Sequence, residues 1–300
     1  MKLGIIYAGQ GSQVVGMGKS FYPHEIFDQN EDLKELCFNG PLEKLSYTPY
    51  TQPCMVMVAT IITDLLKEHR IVPDYTAGLS LGEYSALYCA GVFKRQQVID
   101  LARFRGKVMQ EAVSEIESEM IAVLGMKEEL LQDLCHQASS LGVVSISNYN
   151  CPGQLVVAGE KKAVEKVKEL ALENKARRVI ALNTSGPFHT SLLKEASLAL
   201  KERFKKETFH EMKIPVIFNT LGHEIEYQSI PEILEKQVMS PVYFEKSIRY
   251  MIDQGVDTII EVGPGKVLSG FVRKIDRSIQ LYQIEDMESL KKTVKALKGE

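Results

Sequence analysis

The stretch Gly78-Leu79-Ser80-Leu81-Gly82-Glu83-Tyr84-Ser85-Ala86-Leu87 places one serine between two glycines, where a short apolar run gives way to helix-forming residues. A G-x-S-x-G segment in that position suits a nucleophile elbow, in which a strand turns tightly into a helix and the serine hydroxyl projects from the top of a sheet. The same residues admit a plainer assignment. Serine is a favoured N-cap, and Glu83 three positions on would complete a capping box. The pentapeptide alone leaves both open.

Around this segment the chain alternates in two rhythms. Leu3-Gly4-Ile5-Ile6-Tyr7 predicts a strand ending in the loop Ala8-Gly9-Gln10-Gly11-Ser12-Gln13. Residues 53–70 predict a buried helix beginning at Pro53, 73–79 a brief strand, 82–90 a helix stopped by Gly91, and 95–113 a helix carrying Arg103, Arg105 and Lys107. The middle third then reads strand 120–124, helix 127–140, strand 143–147, turn 150–153, strand 154–158, helix 161–174 and strand 178–182. That β-α-β-β-α-β order is the one expected of a small ferredoxin-like unit inserted into a larger domain. Helix 190–206, strand 214–218, helix 231–251 and strand 258–262 resume the first rhythm, and the polar residues 291–300 are expected to fray.

Composition limits what such a chain can do. With 300 residues, 45% of them hydrophobic, it can bury a large core, and a formal charge of -3 offers no global field for nucleic acid or an anionic membrane. No apolar run approaches the roughly 18 residues of a membrane span, and no signal-like leader is read at the N-terminus, so a soluble cytoplasmic protein is expected. The five cysteines are scattered without a C-x-x-C pair. They suggest neither a disulfide framework nor a metal site.

A serine nucleophile needs a base. Of the six histidines, His24, His69, His136, His210 and His223 lie in polar segments or near helix ends. His189 differs, because Ser185-Gly186-Pro187-Phe188-His189 follows a strand and precedes a helix, where sites are commonly built; it is a candidate base or a structural histidine. The glycine loop 9–13 has Val14 where a dinucleotide fingerprint needs its third glycine, and Gly263-Pro264-Gly265-Lys266 lacks Walker A spacing. Each remains a turn with exposed N–H groups, an oxyanion donor or a simple connection. Arg105 is a candidate carboxylate clamp or a solvated helix residue.

Taken together, Ala8-Gly9-Gln10-Gly11-Ser12-Gln13, Gly78-Leu79-Ser80-Leu81-Gly82-Glu83, Arg105-Gly106-Lys107, Asn148-Tyr149-Asn150, His189, Gln237 with Pro241-Val242, and Glu261-Val262-Gly263-Pro264-Gly265 resemble the malonyl-CoA:acyl carrier protein transacylases. The resemblance runs in order from Leu3 to about Leu281. It implies an α/β-hydrolase-like core (1–118 and 188–300) with an inserted ferredoxin-like subdomain (119–187). It further implies Ser80 as nucleophile, His189 as base, and the Gln10 and Leu81 N–H groups as oxyanion donors. Arg105, Phe188 and Gln237 would be substrate-binding, with the carbonyl near Gln237 orienting the histidine.

Malonyl-CoA and acyl carrier protein would be the partners, with CoA and phosphopantetheine thioesters as substrates and neither cofactor nor metal required. The implied reaction is ping-pong malonyl transfer for fatty acid synthesis by a cytoplasmic monomer. A trans-acting polyketide malonyltransferase, an editing acyl hydrolase and a non-catalytic carrier-binding scaffold are the alternatives. Lys94, Arg95, Lys107, Arg177, Arg178, Arg273 and Lys274 are candidates for a positive rim facing an acidic carrier. Two departures stand out: Leu79 where most members have His, and Ser240 where Asn is common.

Overall fold

A computed structural model describes residues 1–299. β1 (Leu3–Tyr7) is followed by three short helices, α1 (Glu25–Gln29), α2 (Glu31–Asn39) and α3 (Leu42–Leu45), and by the long α4 (Thr48–Glu68). β2 (Tyr75–Gly78) runs into α5 (Gly82–Cys89), and α6 (Arg95–Ala112) closes the first part. Then come β3 (Ser118–Leu124), α7 (Glu128–Ala138), β4 (Val144–Cys151), β5 (Gln154–Glu160), α8 (Lys161–Glu173) and β6 (Arg178–Ala181). The last part holds α9 (Lys194–Phe204), β7 (Val216–Ile217), α10 (Ile230–Gln237), α11 (Phe244–Asp253), β8 (Thr258–Val262), α12 (Val267–Ile275), β9 (Gln280–Ile284) and α13 (Met287–Lys298).

The strands form two sheets. Five strands in the order β7-β2-β1-β8-β9 pair in parallel, and Tyr7 aligns with both Gly78 and Val262, so the carboxyl ends of β1, β2 and β8 lie side by side. The order reverses at β1, and in open parallel sheets ligands bind beyond the strand ends at such a point. Each of these strands is wholly or largely buried, as a sheet covered by helices on both faces requires.

The second sheet is antiparallel, in the order β4-β5-β3-β6. Its side chains obey a period of two. Ile121, Val123, Leu155 and Val157 join the core under α7 and α8, while Met120, Ala122, Val156 and Ala158 join the main core on the opposite face. Edge strand β4 is tied to the segment between α10 and α11, with Tyr149 N–H donating to the Val242 carbonyl at 2.9 Å and Val242 N–H to that of Ser147 at 2.9 Å.

Four expectations need correcting. α4 starts at Thr48, more than a turn before Pro53: Pro49 takes the first turn, where no N–H is needed, and Pro53 lies inside the helix. Its start is held by α6, since a Cβ on Gly106 would fall 2.7 Å from the Thr48 carbonyl oxygen. The expected helix 231–251 is two helices, because Pro241 lacks the donor that a continuous helix needs and disfavours helical geometry at Ser240. Asn150 and Cys151 belong to β4, leaving Pro152 and Gly153 as the turn. The C-terminal residues do not fray as expected: α13 is capped by Asp286, which accepts from Ser289 N–H, and it buries Leu290, Thr293 and Val294. Glu300 lies outside the described residues.

Candidate active site

The elbow forms because the chain cannot pass otherwise. A Cβ on Gly78 would lie 1.9 Å from the carbonyl carbon of Gly82, and one on Gly82 would lie 2.2 Å from the Tyr7 oxygen. Between them Ser80 adopts φ 54°, a left-handed conformation that is uncommon outside glycine and marks functional sites. The helix cap is Leu81, without a side-chain capping bond, so Ser80 does not cap α5. Glu83, the other half of the expected capping box, is fully buried and accepts from Asn219 N–H at 2.5 Å and Gln237 Nε2 at 3.0 Å.

Ser80 Oγ lies 2.7 Å from His189 Nε2. The ring is oriented from its far side, where Nδ1 is 2.9 Å from the Gln237 carbonyl oxygen and 3.1 Å from that of Ser240. Two acceptors at Nδ1 require the proton there, which leaves the Nε2 lone pair facing the serine. The break between α10 and α11 makes these carbonyls available: Pro241, four residues after Gln237, has no N–H to give it, and the Gln237 oxygen takes only a long bond from Ser240 N–H at 3.4 Å besides the ring. Burial, and then the Arg105 charge, lower the His189 pKa to about 4 against the pull of the two carbonyls, so the imidazole is neutral at pH 7. Among the other histidines, His24 caps α1 through Nδ1, and His69, His136 and His210 are exposed.

Arg105 is 1% exposed despite its position on an outer helix. Nη1 donates to Gln52 Oε1 at 2.9 Å, and Nη2 to Gln237 Oε1 at 3.0 Å and to Ser80 Oγ at 3.2 Å. The guanidinium also lies over the Tyr84 ring, 5.4 Å from its centroid. Burial lowers its pKa, while Tyr84 and Glu83 act the other way. Desolvation correspondingly pushes the Glu83 carboxyl up to about 8, opposed by the Asn219 N–H, the Arg105 charge and the Gln237 carboxamide.

These groups face a cavity of about 380 Å³ between the two sheets. Gln10, Ser80, Arg105, Phe188 and His189 line it, Met120, Ala122 and Val156 wall it from the antiparallel sheet, and Val267 and Phe271 of α12 edge it. The Gln10 and Leu81 N–H groups have no acceptor among the described residues. Gln237 lines no part of this cavity: it stands fully buried behind the guanidinium, so its expected substrate contact becomes a contact to Arg105. Leu79 lines the cavity beside Ser80, and Ser240 contributes its carbonyl to His189.

Gln52 and Asn219 were not expected at the site. Gln52 carried a signal, a polar residue opening a long apolar run, whereas Asn219 had only its place after a strand. Of the basic candidates, Arg95 is engaged by Asp64 and Glu25, and Lys107 lies 3.8 Å from Glu111. Lys94, Arg177 and Arg178 are exposed. Arg273 and Lys274 line a shallow groove with Arg277, and Lys274 donates to Gln154, a residue of the cavity wall. Among the described residues there is no cluster of His, Cys, Asp and Glu able to hold a metal and no helix long and apolar enough to cross a membrane.

A family model described as the acyl transferase domain matches residues 5–295. A malonyl CoA-acyl carrier protein transacylase of Bacillus subtilis is 40% identical, covering 100% of this chain and 98% of its own length. One from Staphylococcus aureus is 36% identical, with 97% of each covered. Among solved structures, the malonyl CoA-acyl carrier protein transacylase of Clostridium perfringens superposes with a TM-score of 0.95 at 40% identity, covering 100% of this chain and 98% of the other. A malonyl-transacylase in complex with a type II polyketide acyl-carrier protein gives 0.94 at 34% identity, covering 100% of both.

Proposed function

This chain belongs to the acyl transferase domain family, and we infer that it transfers a malonyl group from malonyl-CoA to the phosphopantetheine thiol of an acyl carrier protein, supplying extender units for fatty acid synthesis. The observation that carries this reading is a buried cation at the nucleophile: Arg105 Nη2 lies 3.2 Å from a Ser80 Oγ that is itself 2.7 Å from a neutral His189. A free carboxylate on the acyl chain is the natural partner for that guanidinium.

Ser80 Oγ attacks the thioester carbonyl and passes its proton to His189 Nε2. The oxyanion is held by the N–H groups of Gln10 and Leu81. When the C–S bond breaks, His189 returns the proton to the departing CoA sulfur, leaving malonyl-Ser80. In the second half the carrier thiol gives its proton to His189, its sulfur attacks the ester carbonyl, and Ser80 is released with that proton restored. No cofactor enters either half. The Gln237 and Ser240 carbonyls hold the imidazole, so no acidic third member is needed. Leu79, Phe188, Met120, Ala122 and Val156 keep the acyl ester away from water, and the Phe188 ring leaves little room for an α-methyl branch.

The same reading makes residues 1–118 and 188–300 an α/β-hydrolase-like catalytic domain and 119–187 a ferredoxin-like subdomain, supported by the parallel sheet and by the order β4-β5-β3-β6. The test is intact-protein mass after brief mixing with malonyl-CoA, followed by a chase with holo carrier. A malonyl-sized adduct that is absent in Ser80→Ala and moves to the carrier is expected. An adduct that decays equally fast without carrier would make the protein a hydrolase.

A further inference from the structure

Ser80 is held on both sides of its own peptide unit by carboxamides. Its N–H donates to Asn219 Oδ1 at 2.6 Å, and its carbonyl accepts from Gln237 Nε2 at 3.0 Å. Asn219 Nδ2 also donates to the Gly78 carbonyl at 2.6 Å, so this one side chain spans the entrance and apex of the turn. Gln237 uses its remaining oxygen for Arg105, at 3.0 Å. A carboxamide placed backwards would set donor against donor in either case, so each works only when its residue is held in this place from behind.

Glu83 stands at that point. One carboxylate oxygen takes the Asn219 main-chain N–H and the other takes Gln237 Nε2. Tyr243 N–H donates to the Asn219 carbonyl at 2.8 Å, which also secures that residue from the α11 side. Both oxygens of a carboxyl group can accept, whereas a carboxamide of the same length sets an NH₂ against one of the two N–H donors.

We propose that Glu83 is a positioning residue that acts through two arms. Through Asn219 it keeps Ser80 in its left-handed conformation, and through Gln237 it aims Arg105 at the acyl carboxylate. Glu83 thus couples the reactivity of the nucleophile to the choice of acyl group. The inference rests on the malonyl-transfer reading.

Three variants separate the arms: Glu83→Gln, Asn219→Ala and Glu83→Gln combined with Arg105→Ala. Acylation of Ser80 by malonyl-CoA and by acetyl-CoA is followed by quenched-flow mass spectrometry, beside a thermal melt. Glu83→Gln presents an NH₂ to one of two donors. It is expected to slow acylation from both donors, and to cut the malonyl-to-acetyl ratio by roughly 10-fold or more, the weight of a hydrogen bond to a charged group.

Asn219→Ala touches only the elbow arm and should slow both acyl donors by a similar factor with the ratio unchanged. In the double variant the ratio should equal that of Arg105→Ala alone. A parent-like ratio in a folded Glu83→Gln protein would overturn the proposal. If Glu83→Gln does not fold, Asn219→Ala decides: parent rates, or a changed ratio, would reject the two-arm assignment. A parent protein that forms no malonyl adduct would instead defeat the functional reading.

Discussion

Arg105 and His189 are two buried groups whose charge states define the site, and each makes a prediction. Removing the guanidinium with Arg105→Ala deletes the proposed partner of the acyl carboxylate and leaves Gln52 Oε1 and Gln237 Oε1 without their donor. Malonyl acylation should fall by roughly 10- to 100-fold while acetyl acylation falls less, so the ratio moves toward acetyl. Retained malonyl preference in competition between the two thioesters would remove the clamp assignment. For His189 the sign follows from burial. Its pKa is lowered from 6.5 to about 4, so below pH 6.5 the unfolded chain takes up a proton that the folded one refuses. Neutral His189 therefore contributes stability above pH 6.5 that is lost as pH falls through about 4, a change of about 3 kcal/mol. Urea titrations of the parent and His189→Gln at pH 7 and pH 4 should show that difference, and the acid limb of the acylation rate should lie near pH 4 instead of 6.5.

At the scale of elements, the geometry that joins Ser80 to His189 depends on two interruptions, the elbow between β2 and α5 and the break between α10 and α11. Gly82→Ala tests the first. Its methyl would stand 2.2 Å from the Tyr7 oxygen, so α5 must move away from β1 and carry Ser80 with it. A loss of about 1–3 kcal/mol is expected in a urea unfolding curve, together with loss of the Ser80 adduct. Unchanged acylation would mean that the elbow tolerates a shift of the helix.

The turn at the first interruption was legible because its requirements are local: a short apolar run, glycines on either side of Ser80 and helix-forming residues follow one another in the sequence, which left open only whether Ser80 projects or caps. The second was not. Residues 231–251 carry an apolar pattern that runs on through Pro241, and only His189, about fifty positions away, makes the Gln237 and Ser240 carbonyls useful. Glu83 failed for a related reason. Its spacing from Ser80 suits a capping box, and nothing near it in sequence indicates that Asn219 and Gln237 will arrive as donors. The β-α-β-β-α-β order was readable because β3 and β5 are short apolar runs set apart by charged helical stretches such as residues 161–174. The start of α4 was misplaced because Pro53 is as plausible a first-turn proline as Pro49 until Gly106 packs against Thr48.

For the whole molecule, the cavity lies between two sheets that bring different groups to it: Gln10 and Ser80 follow β1 and β2 of the parallel sheet, His189 lies on the segment after β6, and the antiparallel sheet sets Met120, Ala122 and Val156 beside Asn148, Asn150 and Gln154. A carrier must reach this cleft on a protein whose formal charge is -3, so any attraction of an acidic partner has to be local. Arg273, Lys274 and Arg277 at the end of α12 provide a basic cluster close to the cavity edge formed by Val267 and Phe271. Arg95, held by Asp64 and Glu25, and Lys107 beside Glu111 are partly neutralised by comparison.

If the α12 cluster steers the carrier, transfer from preformed malonyl-enzyme to holo carrier should slow as salt rises, and reversing charge with Arg273→Glu should flatten that dependence. A several-fold fall in the second-order rate between low and high salt is expected, because screening shortens the reach of exposed charges to about 3 Å at 1 M ionic strength. Stopped reactions of the malonyl-enzyme with carrier over a salt series measure it directly. A rate that climbs with salt would show like charges meeting at the encounter and would place the carrier on another face.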